Sequence, residues 1–339
     1  MTARLLAPPS LRVEPGFSAR ILVPPGNMYD PLWMLPRGNT VWINDDGGEE
    51  EGKGSRLLTI NRNGSFSVMV GIGKLLPVTG FDIAPASFGP AAGQIYSLAQ
   101  ASTGERGAYA NHVIQRIDPA KGYATTIVCT LPAAGQANRG IAGIGLDARF
   151  GPATGPFAGR FFAVTGYNNT IYQVTSTGAC TPFVTFDGTR FTSPFAIAFT
   201  PDGQTMLVTG RVVGAPTGRA GAIGRVTPDG TLADALVGEG LDRPTGLDLA
   251  PDGFGAYAGQ WFVADLGSGQ VPMTQRSAAD GRVFRVTADG AIHLVAAGFF
   301  NPIGVRFVDR QLWVSDINGD FIVGKRELPD GFVAELRAK

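Results

Sequence analysis

Histidine is nearly missing from this chain, with two residues in 339, and cysteine is as scarce. A chain of this length does not need disulfides or a metal to bury a core. Net charge is absent too, since 28 Lys and Arg face 28 Asp and Glu. No basic field draws in phosphate backbones, so nucleic acid is not an expected partner. Apolar runs of membrane-spanning length are lacking, and no membrane association is expected. The opening MTARLLAPPSLRVEPGF lacks the charged-then-apolar layout of a secretory signal. A removed leader replaced by a start methionine would look the same, so cytoplasmic and periplasmic or secreted locations both stand. An Ala, Gly and Arg bias reads as bacterial.

Glycine is abundant, at 48 residues. Together with many short apolar stretches this points to strands and tight turns, and to an all-β protein. Cys129 and Cys180 both fall in segments that read as outer strands. No spacing rule pairs them, and two buried free thiols are expected, with a disulfide as the alternative.

The chain repeats itself. DIAPASFGPAAGQIYSLA begins at Asp82, DLAPDGFGAYAGQWFVAD at Asp248, and a weaker copy, LDARFGPATGPFAGRFFAVTG, at Leu146. A shorter period underlies these copies. Apolar stretches opened by proline or glycine begin at Asp30 (DPLWML), Thr79 (TGFDIA), Ala142 (AGIGLD), Ser193 (SPFAIAF), Arg243 (RPTGLDL) and Asn301 (NPIGVRF). They recur roughly every 50–60 residues, near the length of a propeller blade. A second strand follows each opener, then a third, for which the last blade offers DFIVGKRE. Stereotyped turns come next: NRNGS, TSTGA, TPDGT, TADGA and LPDGF. Asn or Asp before Gly suits a tight hairpin.

Four antiparallel strands repeated six times predict a single six-bladed β-propeller over residues 1–339. The N-terminal segment at about 17–23 is expected to supply the closing strand of the last blade. Phe88 and Phe254, in the quoted copies, are expected to plug equivalent gaps between blades, so the conspicuous repetition reads as a packing device rather than an active site.

The openers resemble those of the propeller family containing senescence marker protein and the gluconolactonases, and more loosely strictosidine-synthase-like and NHL-repeat proteins. The resemblance implies a divalent-cation site built on opener residues, but YDPLW has Tyr29 where the lactonases carry glutamate. Phe195 and Thr245 likewise stand where they carry asparagine and aspartate. The inherited metal set is therefore missing. A substitute calcium site would draw on Asp30, Asn301 and Asp316, with Asp46 as a further donor. The competing reading makes each of these Asp residues a turn former or a cap.

Function is expected where the inner strands begin, beneath a crown of loops from second to third strands. Leu32, Phe195 and Ile303, with Thr245, either line an apolar pocket there or plug the axis. Tyr29 and Arg139 complete the substrate-binding candidates. His112, Arg243 and Asp30 are the candidate catalytic residues, as base, oxyanion donor and carboxylate. The expected function is a monomeric small-molecule hydrolase of lactonase or esterase type acting on a substrate with a hydrophobic body, with calcium as its one candidate cofactor. Two alternatives stand beside it: a non-catalytic propeller binding a ligand or protein, and a quinoprotein sugar dehydrogenase, whose start PGFSARILVPP resembles.

Overall fold

The computed structural model describes residues 10–46, 55–102, 109–132, 146–213, 221–237, 240–267, 280–317 and 329–339. Six antiparallel sheets form the blades of a propeller. Blade one runs from its inner strand Asp30–Arg37 through Thr40–Asp46 and Arg56–Asn61 to the outer strand Phe66–Val70. Blade two comprises Val78–Ile83, Ile95–Ser102, Tyr109–Asp118 and Ala124–Thr130, and blade three Ala148–Phe150, Phe161–Thr165, Thr170–Val174 and Cys180–Thr185. In blade four, Ile197–Phe199 and the short Phe191–Thr192 both pair with Met206–Val212, followed by Gly221–Val226 and Leu232–Val237. Blade five comprises Pro244–Leu249, Trp261–Asp265, Gly281–Val286 and Ile292–Phe299, with Arg12–Val13 added outside as a fifth strand.

Blade six closes the ring. Its inner strands Pro302–Val308 and Gln311–Asp316 come from the C-terminal part of the chain, its third strand is Gly331–Ala338, and its outer strand is the N-terminal Phe17–Met28. Two expectations change here. The third strand is GFVAELRA, whereas DFIVGKRE lies outside the described residues. LPDGF therefore leads into the third strand instead of linking third to fourth. Gly331 serves close approach, because a Cβ there would sit 2.3 Å from the Tyr29 carbonyl oxygen. The four other stereotyped turns hold Gly64, Gly178, Gly230 and Gly290 at φ between 84° and 86°, as hairpin tips require.

Blades pack through aromatic wedges. Phe88 meets Tyr96 of its own blade and Phe150 of blade three edge-on, at 5.1 and 4.8 Å between centroids. Phe254 does the same with Phe262 and with Phe307 of blade six, at 5.3 and 4.8 Å. Phe157, from the weaker copy, reaches Phe199 of blade four at 5.2 Å. All three wedge residues are fully buried, and such edge-on pairs add about 0.5–1.5 kcal/mol each beyond their area.

The cysteines depart from expectation. Cys129 and Cys180 are joined in a disulfide across the outer strands of blades two and three, with Cα atoms 6.4 Å apart, and no free cysteine remains. The outer edges of neighbouring blades converge at this height, a geometry that no sequence spacing encodes.

Candidate functional site

At the hub the inner strands are bulged, with register shifts after Pro31, Val78, Pro244 and Pro302. A bulge leaves an amide without its ladder partner, and polar side chains of the second strands take these up. Asn44 accepts from Trp33 N at 2.9 Å and donates to Val78 O of blade two at 2.7 Å. The Thr209 hydroxyl accepts from Ala196 N and donates to Thr245 O of blade five, while Ser315 accepts from Gly304 N and donates to Leu32 O of blade one. Stitching of this kind commits much of the polarity near the openers.

The same holds for several residues singled out from the sequence. Thr245 is buried and its hydroxyl donates to Pro302 O at 2.8 Å. Tyr29 donates its amide to Asp45, and its ring lies 5.2 Å from the Arg56 guanidinium. Asp316 accepts the amides of Phe300 and Asn301, one on each carboxylate oxygen, at 2.8 and 3.0 Å. Asp265 does the equivalent work in blade five, accepting the amides of Asp242 and Arg243. Burial raises the Asp265 carboxyl above the ordinary aspartate value, against the pull of Arg282 and the amides it accepts.

Asp30 stands opposite Asp46 in the blade-one register, and Ser55 donates to Asp46 at 2.7 Å. Hard cations need several free oxygen donors converging on one point. Asp316 already accepts two amides, and among the described residues no group of three or more His, Cys, Asp or Glu is placed to hold a metal ion. His112 is buried and faces Gln100 across the middle of blade two. Arg139 and most of the second-to-third-strand loops lie outside the described residues.

Leu32, Trp33 and Ile303 are buried in one cluster against which Phe195 packs. Trp33 from blade one and Phe195 from blade four, opposite blades of the ring, bring their rings to 6.3 Å. These apolar side chains thus meet across the middle of the hub.

Where the inner strands end lies a cavity of about 290 Å³. Its charged walls are Asp82, Arg149, Asp248 and Arg306, and its apolar walls include Leu35, Phe150, Phe199 and Trp261. None of the described residues singled out from the sequence as site candidates lines it. The charged four come from matching positions of blades two, three, five and six. Asp82 accepts the Phe150 amide at 2.9 Å, and Asp248 accepts the Phe307 amide at 2.7 Å. The two arginines directly precede these phenylalanines.

The electrostatics of the halves differ. Arg149 donates through Nε to Asp147 at 2.6 Å, and its guanidinium lies 6.0 Å from the Trp33 ring. Arg306 donates to Met34 O at 2.9 Å and stands 3.7 Å from Asp248. Burial lifts the Asp82 carboxyl above its ordinary value, opposed by the Phe150 and Ile83 amides and more weakly by Arg306 and Arg149. Burial also weakens the hold of Arg306 on its proton, as does Arg149, against the pull of Asp248, Asp147 and Asp82. The cavity thus holds a carboxyl group of raised basicity with two guanidinium groups near it. Part of a signal for it was present in the sequence, because the two quoted copies begin with Asp82 and Asp248, whereas Arg-Phe, found at Arg149 and Arg306, occurs also at Arg160 and Arg190.

No family model matches the chain, and no curated protein matches it. Solved structures do. A gluconolactonase from Xanthomonas campestris is 12% identical over 98% of this chain and 95% of its own, with a TM-score of 0.58. The soluble aldose sugar dehydrogenase of Escherichia coli is 13% identical over 95% of this chain and all of its own, with a TM-score of 0.57. An inactive virginiamycin B lyase from Staphylococcus aureus with quinupristin is 15% identical over 95% and 100%, with a TM-score of 0.53. The chain is a six-bladed β-propeller, and its likeness to these proteins is one of fold.

Proposed function

We propose that the protein is a small-molecule hydrolase of lactonase or esterase type, acting on a substrate with an apolar body in the axial cavity. The supporting observation is the Asp82 carboxyl, raised in basicity by burial and flanked by two guanidiniums in one pocket. A general base works best when its pKa approaches the working pH, and a raised carboxyl moves in that direction. Asp82 would take a proton from the attacking water as the oxygen bonds to the acyl carbon. Arg149 and Arg306 would hold the carbonyl oxygen as negative charge develops on it. When the acyl C–O bond breaks, the proton on Asp82 passes to the departing alkoxide. The apolar walls would take the body of the substrate. No step runs through calcium. The gluconolactonase among the structural neighbours shows that hydrolysis is compatible with this fold.

A panel of lactones and aryl esters, assayed with and without calcium across pH, tests the reading. Turnover is expected, with the acid limb of kcat/KM above the ordinary aspartate range. Asp82→Asn should cost about 10²–10⁴-fold in kcat while the protein stays folded. Saturable binding of panel members with no turnover would overturn the hydrolase and favour the non-catalytic binding propeller.

A further inference from the structure

The four charged residues of the cavity form a pseudo-twofold pattern, and the position two before each arginine departs from it. Blades two and three supply Asp82 and Arg149, and blades five and six supply Asp248 and Arg306. The matching hydrogen bonds to Phe150 and Phe307 fix the equivalence. So do the glycines of the preceding blades: a Cβ on Gly80 would press on the backbone of Asp147 and Ala148, and one on Gly246 on that of Ile303, Gly304 and Val305. Asp147, two residues before Arg149, therefore corresponds to Gly304, two before Arg306. Position 304 has no room for a side chain, since a Cβ would lie 2.3 Å from the Leu32 carbonyl oxygen. In the other half a carboxylate stands at that place, and it is buried.

The consequence is a different partner for each arginine. Arg306, with glycine at 304, leans toward Asp248 at 3.7 Å. Arg149 is held by Asp147, which also accepts the Ile197 amide at 3.2 Å and so is anchored to blade four. The charged groups acting on Asp82 are Arg149 of blade three and Arg306 of blade six, and neither forms a salt bridge with it among the described residues.

We infer that Asp147 is a positioning residue: by holding Arg149 on its own strand it keeps Asp82 free of an ion-pair partner, which makes Asp82 the reactive member of two matching hub carboxylates. The inference rests on the reading of Asp82 as the general base, but its electrostatic content is measurable without a substrate. Removing the Asp147 charge releases Arg149 toward Asp82, and an opposite charge at close range favours the ionised carboxylate.

The test is the carboxyl ¹³C titration of Asp82, assigned by its loss in Asp82→Asn. In Asp147→Asn the Asp82 midpoint should fall by about one pH unit or more, and the acid limb of kcat/KM should fall with it. The double variant Asp147→Asn/Arg149→Gln should bring the midpoint back toward that of the unmodified protein, which a merely structural role of Asp147 would not do. Should Asp147→Asn fail to fold, Asp147→Ser keeps an acceptor for the Ile197 amide and serves in its place. A folded variant in which Asp82 titrates unchanged, or a shift that persists without Arg149, overturns the inference. If the titrations behave as expected and no ester or lactone is turned over, the proposed function falls while the role of Asp147 in holding Arg149 stands.

Discussion

Gly304 shows how one missing side chain shapes the hub. Besides the Leu32 carbonyl oxygen, a Cβ there would lie 2.7 Å from the Ser315 hydroxyl, the group that links blade six to blade one. Neither neighbour can yield cheaply, because the first is backbone and the second holds the Gly304 amide. Overpacking of this kind typically costs about 1–3 kcal/mol. Gly304→Ala should accordingly lose unfolding free energy in that range, read as a lower urea midpoint at unchanged slope. Gly71→Ala, at a glycine where a Cβ would meet nothing within 4 Å, should leave the midpoint close to that of the parent protein.

At the scale of elements, hairpin tips repeat one small device. Thr200, Thr227 and Thr287 donate their hydroxyls to Asp202, Asp229 and Asp289, each of which also accepts an amide further along the turn. These bonds hold all three carboxyls below the ordinary aspartate value, the threonine hydroxyl being the largest cause in each. A depressed carboxyl supports the fold above its unfolded pKa, and that support is lost as pH falls through the folded value. Urea midpoints of the parent and of the Asp202→Asn/Asp229→Asn/Asp289→Asn variant should therefore differ by a constant amount above about pH 4 and converge below it. Such tips, like the Pro- and Gly-opened inner strands, were legible in the sequence because their causes are local. The last blade was less so. DFIVGKRE and GFVAELRA show similar runs of apolar residues, and only pairing with Phe17–Met28 identifies the true third strand. The candidate site was hardest to read. Asp82, Arg149, Asp248 and Arg306 are ordinary strand residues until ring closure brings the ends of four inner strands together, whereas of the residues that looked functional Thr245 bonds the Pro302 carbonyl and Asp316 the Phe300 and Asn301 amides.

For the whole molecule, closure and the disulfide act on different junctions. Pairing of Phe17–Met28 with Gly331–Ala338 ties the two ends of the chain into blade six. Cys129–Cys180 clamps the rim between blades two and three, the junction that the Asp82 to Phe150 hydrogen bond spans at the hub. The bridge joins residues 51 apart in sequence. On a chain-entropy account, a loop of that length removes about 4 kcal/mol of freedom from the unfolded chain. Cys129→Ala/Cys180→Ala should lose stability of that order in urea unfolding, and reductant should lower the parent protein to the same level while leaving the variant unchanged. The aromatic wedge of Phe88 against Phe150 remains in both, so the blades should stay packed near the hub. The Asp82 titration should then be the same with and without reductant. If breaking the bridge also shifts that titration, the rim and the cavity are mechanically coupled, and the disulfide helps to hold Asp82 and Arg149 in register.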